Sequence, residues 1–143
     1  MLEPGEKLRE AYFTALNGNL TDLDSANVPL YDRVPSTAGA KYCYVSDYTV
    51  NDSLTDKSAY GFEATITLVV VCKYSGDFGG KKEADRVAEQ ITTLIRTRGV
   101  LSMGAEFTML TSQLDASNTF EQNVEGGFQT NRVLKFRHLI AEN

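Results

Sequence analysis

Phe62-Glu-Ala-Thr-Ile-Thr-Leu-Val-Val-Val-Cys-Lys-Tyr74 runs through Ser75-Gly-Asp-Phe-Gly-Gly-Lys81 into Lys82-Glu-Ala-Asp-Arg-Val-Ala-Glu-Gln-Ile-Thr-Thr-Leu-Ile-Arg96. The first segment has the period of a strand. Phe62, Ala64, Ile66, Leu68, Val70, Cys72 and Tyr74 alternate onto one side, and Glu63, Thr65, Thr67 and Lys73 onto the other. The third segment has the period of a helix, expected over Lys82–Arg98, with Ala84, Val87, Ala88, Ile91, Leu94 and Ile95 in one stripe. Glu83 and Asp85 at its start and Arg96 and Arg98 at its end complement the helix dipole, and Gly99 ends it. A sheet face and a helix face thus stand side by side in sequence, ready to pack together. Val69 and Val71 break the polar side of the strand. A sheet covered by helices on one face normally leaves the other polar, so cover by a local loop and cover by a partner subunit both fit these two valines.

Upstream, Leu8, Ala11, Tyr12, Ala15 and Leu16 recur at three- and four-residue steps and predict a helix, which Pro4 opens and Gly18 closes. Asn19 to Asn27 reads as a surface loop. Val28-Pro-Leu-Tyr-Asp-Arg-Val-Pro35 is extended, and its prolines confine it to a sheet edge. Lys41 to Val50 reads as a strand, with Tyr42, Tyr44, Tyr48 and Val50 on one face and Cys43 and Val45 on the other. Asn51 to Ser58 reads as a loop. Downstream, Ala105 to Leu114 is a strand. Residues 112–127 form a long polar connection holding Phe120 and Val124, an extended hairpin tip or arm. Phe128 to Ile140 is the closing strand. The order α-β-β-β-α-β-β has no running βαβ repeat. It predicts an α+β fold, a mainly antiparallel sheet with two helices packed on one face, in a single domain over 1–143.

The composition fits that reading. Of 143 residues, 42% are hydrophobic, enough for a core, and 23% are charged. The net charge of −5 argues against a surface that grips nucleic acid. The N-terminus lacks a basic segment followed by an apolar run, so no secretion signal is expected. Leu68-Val-Val-Val-Cys72 falls far short of the roughly 20 apolar residues of a membrane helix. Cys43 and Cys72 read as buried thiols of a protein made in the cytoplasm.

Local motifs for chemistry are weak. Gly76-Asp-Phe-Gly-Gly-Lys-Lys82 lies between strand and helix, where a phosphate cradle would lie. Its glycines are one residue too close for a P-loop, Lys82 replaces the magnesium-binding hydroxyl, and Asp77 would repel phosphate. A glycine-rich turn is the simpler reading. His138 alternates with apolar neighbours and reads as structural or surface-bound, not as the base of a nucleophile pair with Cys43, Cys72 or a serine. Asp22, Asp24 and Asn27 lack the glycine and terminal glutamate of a calcium loop. The basic residues of the second helix, from Lys81 to Arg98, interleave with Glu83, Asp85 and Glu89 as a solvated face. Tyr42, Tyr44 and Tyr48 could stack on bases, but period-two aromatics in a strand usually pack across strands. No catalytic, cofactor-binding or metal residue is expected, and the protein is expected not to be an enzyme.

Several pieces together resemble a known family. They are the first helix ending near Leu16, Val28-Pro-Leu-Tyr-Asp-Arg-Val-Pro35, Tyr42-Cys-Tyr-Val45 and Leu68-Val-Val-Val-Cys-Lys-Tyr74. They continue with the Ser-Gly-Asp-Phe-Gly-Gly turn, the helix containing Ala84-Asp-Arg-Val-Ala88, and Asn131-Arg-Val-Leu-Lys-Phe-Arg137. Across nearly the whole chain this order resembles the tail terminator (tail-completion, or head–tail joining) proteins of tailed bacteriophages and prophages. Members often open the second strand with a proline where this chain has Ala40-Lys41, and residues 112–127 are long and polar for the family.

The resemblance implies a homo-oligomeric ring, commonly a hexamer, at the head-proximal end of the tail in the virion, assembled in the host cytoplasm. Its partners would be the tail tube protein and the head connector or stopper protein. DNA would pass through the lumen without specific binding, and no membrane, cofactor or catalysis is involved. A ring closes through heterologous contacts. Val69 and Val71 on the outer sheet face, and Phe120 on the 112–127 arm, are the candidate subunit interface. A tube subunit, a connector stopper, a small non-phage binding domain and a small enzyme with a scattered site are the alternatives.

Overall fold

The computed structural model describes residues 3–53, 61–75, 80–97 and 101–143. The elements are α1 (Gly5–Leu16), β1 (Leu30–Tyr31), β2 (Lys41–Asp52), β3 (Gly61–Ser75), α2 (Lys82–Arg96), β4 (Phe107–Val124) and β5 (Gly127–Glu142). The strands form one sheet in the order β1-β2-β3-β5-β4. Every pairing is antiparallel except the short β1–β2 contact at the edge. This is the expected α+β architecture.

α1 begins where the Glu3 carboxylate accepts the Gly5 amide at 2.7 Å, satisfying one of the donors a helix start leaves open. It ends at Leu16, and in the turn just beyond, Gly18 has a φ of +86°, which suits a residue without Cβ. Its buried face is Leu8, Ala11, Tyr12, Ala15 and Leu16. α2 buries Ala84, Val87, Ala88, Ile91 and Ile95. Both stripes press on one sheet face, against Phe62, Ile66, Leu68, Val70, Leu134, Phe136 and Ile140. Each of these large side chains withdraws about 1.5–3 kcal/mol worth of apolar surface from water. The expected C-terminal residues of α2, Arg98 and Gly99, lie outside the described residues, as do Ser58 and all of residues 76–79 of the glycine turn.

Asn51 and Asp52, expected to open a loop, extend β2 instead, and two larger features differ from the sequence expectation. β2 carries a bulge between Val45 and Asp47, and one extra residue inverts the faces beyond it. Tyr48 pairs with Ile66 and Val50 with Ala64, so both join the helix-side face of Cys43 and Val45 instead of the face of Tyr42 and Tyr44. The second difference is residues 112–127. The extended hairpin expected there is present, but the strand expected to stop at Leu114 runs on through it: β4 continues to Val124, and a two-residue turn, Glu125–Gly126, returns the chain into β5. β5 is paired along its length on both sides, with β3 from Gly61–Ala141 to Ser75–Gly127 and with β4 up to Val124–Gly127. The hairpin is therefore part of the sheet, and β4 is its outer strand.

At the hairpin end, Gly126 has a φ of +82°. A Cβ on Gly127 would lie 1.9 Å from the Tyr74 carbonyl oxygen, closer than atoms can approach. Gly127→Ala is expected to cost about 1–3 kcal/mol, read as a lower urea midpoint. An unchanged midpoint would show that β3 and β5 do not meet there.

Candidate functional site

The outer sheet face carries its own apolar cluster. Tyr42, Val69 and Val71 are buried there, with Tyr31, Val34, Ala38, Tyr44 and Val133 packed around them. Val34 and Ala38 belong to the segment between β1 and β2, so the chain supplies the local loop cover itself. Val69 is 6% exposed and Val71 1%. Of the two covers that fit the valines, the local one is therefore present within the subunit, and their burial needs no neighbour. Tyr31, Tyr42 and Tyr44 stack in tilted pairs, with ring centroids 6.0 and 6.3 Å apart, and the Lys73 ammonium lies 5.4 Å from the Tyr42 centroid. These rings are packing groups held by neighbours, not a free platform for bases.

Phe120 has the opposite fate. It sits on the outer face of β4, opposite Asn131 of β5, and is 48% exposed. Around it runs an amide ladder in which Gln129 donates to Asn131 at 2.8 Å and Asn131 donates to Gln122 at 3.2 Å. On the helix side of the same hairpin, Arg132 donates to Asp85 of α2 at 2.6 Å, to Thr119 at 2.8 Å and to Ser117 at 3.0 Å. The hairpin is therefore tied to α2 from one face and presents Phe120 on the other.

A charged cluster lies where β2 starts and α2 begins. Lys41 Nζ sits 2.8 Å from Glu83 and 3.3 Å from Asp22. Asp22 also accepts the amides of Asp24 and Ala26, at 2.8 and 2.9 Å. Glu83 accepts the Tyr74 hydroxyl at 2.8 Å and the Leu23 amide at 3.2 Å. Burial works against ionisation of both carboxyls, but these donors and the Lys41 ammonium outweigh it and hold them below the usual carboxylate range. The bond to Glu83, aided by Asp22, pushes the Lys41 pKa up against its own burial. Burial and the Glu83 charge raise the Cys72 thiol to about 11, so it stays protonated and unreactive at neutral pH. The cluster clamps the 19–27 loop to the sheet and to α2. It also fills the start of α2 with two carboxylates, the charge a phosphate would have to meet. Asp77, Gly76 and Gly79 of the glycine turn lie outside the described residues. Asp22, weighed above as a cation ligand, spends its oxygens on two amides and Lys41, and among the described residues no acid, histidine and cysteine cluster could hold a metal.

His138 is fully buried. Its Nε2 meets the Tyr12 hydroxyl of α1, and its Nδ1 lies 3.0 Å from Ser112 Oγ and 3.3 Å from the Thr111 carbonyl. Burial lowers the His138 pKa to about 4 and raises that of Tyr12, so a neutral imidazole faces a phenol. A carbonyl can only accept, which places the proton on Nδ1 and leaves Nε2 to accept from Tyr12. In that tautomer no lone pair faces Ser112, so the pair orients the serine without activating it. Ser112 borders a cavity of about 730 Å³ between the end of α2 and the start of β4, lined also by Ile95, Leu101, Met103, Phe107 and Met109. Arg96 is the one ionisable side chain among its described lining residues, so no acid and base converge there.

Sequence reasoning had no means to find the Lys41 and His138 clusters, because their members come from distant parts of the chain. Among the described residues no helix is long and apolar enough to cross a membrane. A scan against protein-family models finds no match to the chain, and a search of curated proteins finds none.

Proposed function

We propose that the chain is a structural morphogenesis protein of a tailed phage or prophage, which forms a ring at the head-proximal end of the tail tube. The ring ends tube polymerisation and joins the tail to the head connector. The observation that carries this reading is the pairing of a two-layer α+β subunit with a long hairpin whose outer strand, β4, is unpaired on one side among the described residues. That leaves an open polar edge for protein contacts. The family resemblance of the sequence along the chain supports the same reading. A net charge of −5 suits a ring through which DNA slides, since like charges repel phosphate. The role needs no catalysis. Ring closure is heterologous, and Phe120 on the hairpin remains the interface candidate that faces solvent.

An unpaired edge also suits a tube subunit, which would polymerise without limit. Electron microscopy of the purified protein mixed with growing tail tubes separates the two. The expected result is a closed ring at one tube end and arrested elongation. Open-ended tubes made of this chain would identify a tube subunit, and bare, still-elongating tubes would overturn the proposal.

A further inference from the structure

We infer that the free chain pairs with a second copy of itself through β4, in an antiparallel two-fold contact centred on Phe120. Among the described residues β4 is the outermost strand of the sheet, so one of its sides presents backbone donors and acceptors without a ladder partner there. Its first half is irregular, with register shifts between Met109 and Thr111 and between Leu114 and Ala116, and Asp115 is held by Arg137. Bulges of this kind blunt an edge. Beyond them the blunting stops. Ala116-Ser-Asn-Thr-Phe-Glu-Gln-Asn-Val124 is regular and holds no proline, lysine or arginine. It offers a straight edge of about 30 Å.

The segment matches itself. With Phe120 on the two-fold axis, Phe120 meets Phe120, Asn118 meets Gln122, Ala116 meets Val124 and Ser117 meets Asn123. Directly opposite residues share a face, so the exposed Phe120 rings meet on the outer face, flanked by amide pairs that extend the Asn131–Gln122 ladder. Glu121, the one charge in the segment, falls opposite Thr119 and not opposite itself. Thr119 is where Arg132 already reaches across, at 2.8 Å. Its second terminal nitrogen, Nη2, has no acceptor among the described residues. Glu121 of each copy therefore approaches Arg132 of the other, twice per pair. Moving the register by two residues removes the Phe120 contact and the Glu121–Arg132 approach together. Charge, amide pairing and aromatic burial all select one register and one occupant, another copy of this chain.

The contact does not rest on the ring reading. An isologous pairing is used up by two subunits and cannot propagate, so it describes the unassembled chain and shields its longest edge.

Cysteine scanning of the full chain tests the pairing without tails. At the axis, opposite Cα atoms lie about 4.5–5.5 Å apart, within disulfide reach. Phe120→Cys is expected to cross-link to a covalent dimer under mild oxidation. Asn118→Cys, about 14 Å along the strands from its own copy, is expected to stay monomeric, and Asn118→Cys with Gln122→Cys is expected to link. Cys43 and Cys72 are buried and do not compete. Adding Glu121→Arg to Phe120→Cys sets two arginines against each other and is expected to slow linking severalfold. Equal linking at 118 and 120, or none at 120, overturns the pairing. An unchanged rate with Glu121→Arg overturns the register.

Discussion

Replacing Lys41 by methionine is expected to remove about 3–5 kcal/mol of stability at neutral pH, a loss that mild acid reduces. Asp22 and Glu83 are buried, and Lys41 is the cation that meets both. Without it two like charges face each other out of reach of water. In the wild type both carboxyls titrate below their usual range. Their contribution is therefore full above the ordinary carboxylate pKa of about 4 and is lost as pH falls through the lowered folded values. In the Lys41→Met variant burial is less opposed and the folded values rise. Protonation then relieves the repulsion, so the gap between variant and wild type narrows as pH falls. Urea midpoints at pH 7 and pH 4.5 measure it. A variant as stable as wild type at pH 7 would show that the amides of Leu23, Asp24 and Ala26 suffice to hold the pair.

Acid acts on the wild type through a second group. His138 drops from an ordinary value of 6.5 to about 4 in the folded protein, chiefly because burial disfavours the imidazolium. A lowered histidine pKa gives stability that is complete above the unfolded value and is lost as pH falls toward the folded one. Between pH 6.5 and 4 the expected loss is about 3 kcal/mol. The chain has a single histidine, so a slope in the upper part of this window, above the carboxylates, belongs to it. Chemical denaturation of the wild type and of His138→Leu at pH 6.5, 5.5 and 5 tests this. The variant starts lower, because Tyr12 loses its acceptor, but its stability stays flat where that of the wild type falls. A flat wild-type profile would mean that His138 charges freely in the fold.

The periodic parts of the chain were legible because packing imposes the period. α1, α2 and β3 each bury one face against a single core, and their sequences say so. β2 was legible as a strand but not in its facing beyond Val45, since a bulge leaves no mark on composition and yet turns Tyr48 and Val50 to the other side. The far half of β4 reads in sequence as a polar connection or hairpin arm, not as a strand, for a physical reason. An outer strand exposed on both faces has no apolar alternation to display, and residues 115–118 are all exposed. Val69 and Val71 signalled a cover correctly, while its source, the segment bearing Val34 and Ala38, depends on a path through space. The contacts of His138 with Tyr12, 126 residues away in sequence, and of Lys41 with Glu83 exist only after folding. Phe120 was visible as an apolar residue in a polar run, and the strand that holds it gives that exposure its meaning.

The position of β5 carries a consequence for how the chain reaches its native state. β3, its most apolar strand, has β2 on one side and β5 on the other, and β5 is synthesised after every strand it joins. Until residues 127–142 emerge, one flank of β3 stays unzipped and sticky while helices and hairpins upstream collapse early. Pairings that span such long stretches of chain form slowly, and half-built intermediates with bare strands are prone to clump. Newly made copies therefore pass through a vulnerable interval that ends only when this one strand slots home, which makes lower growth temperature or added chaperone the natural route to high yield.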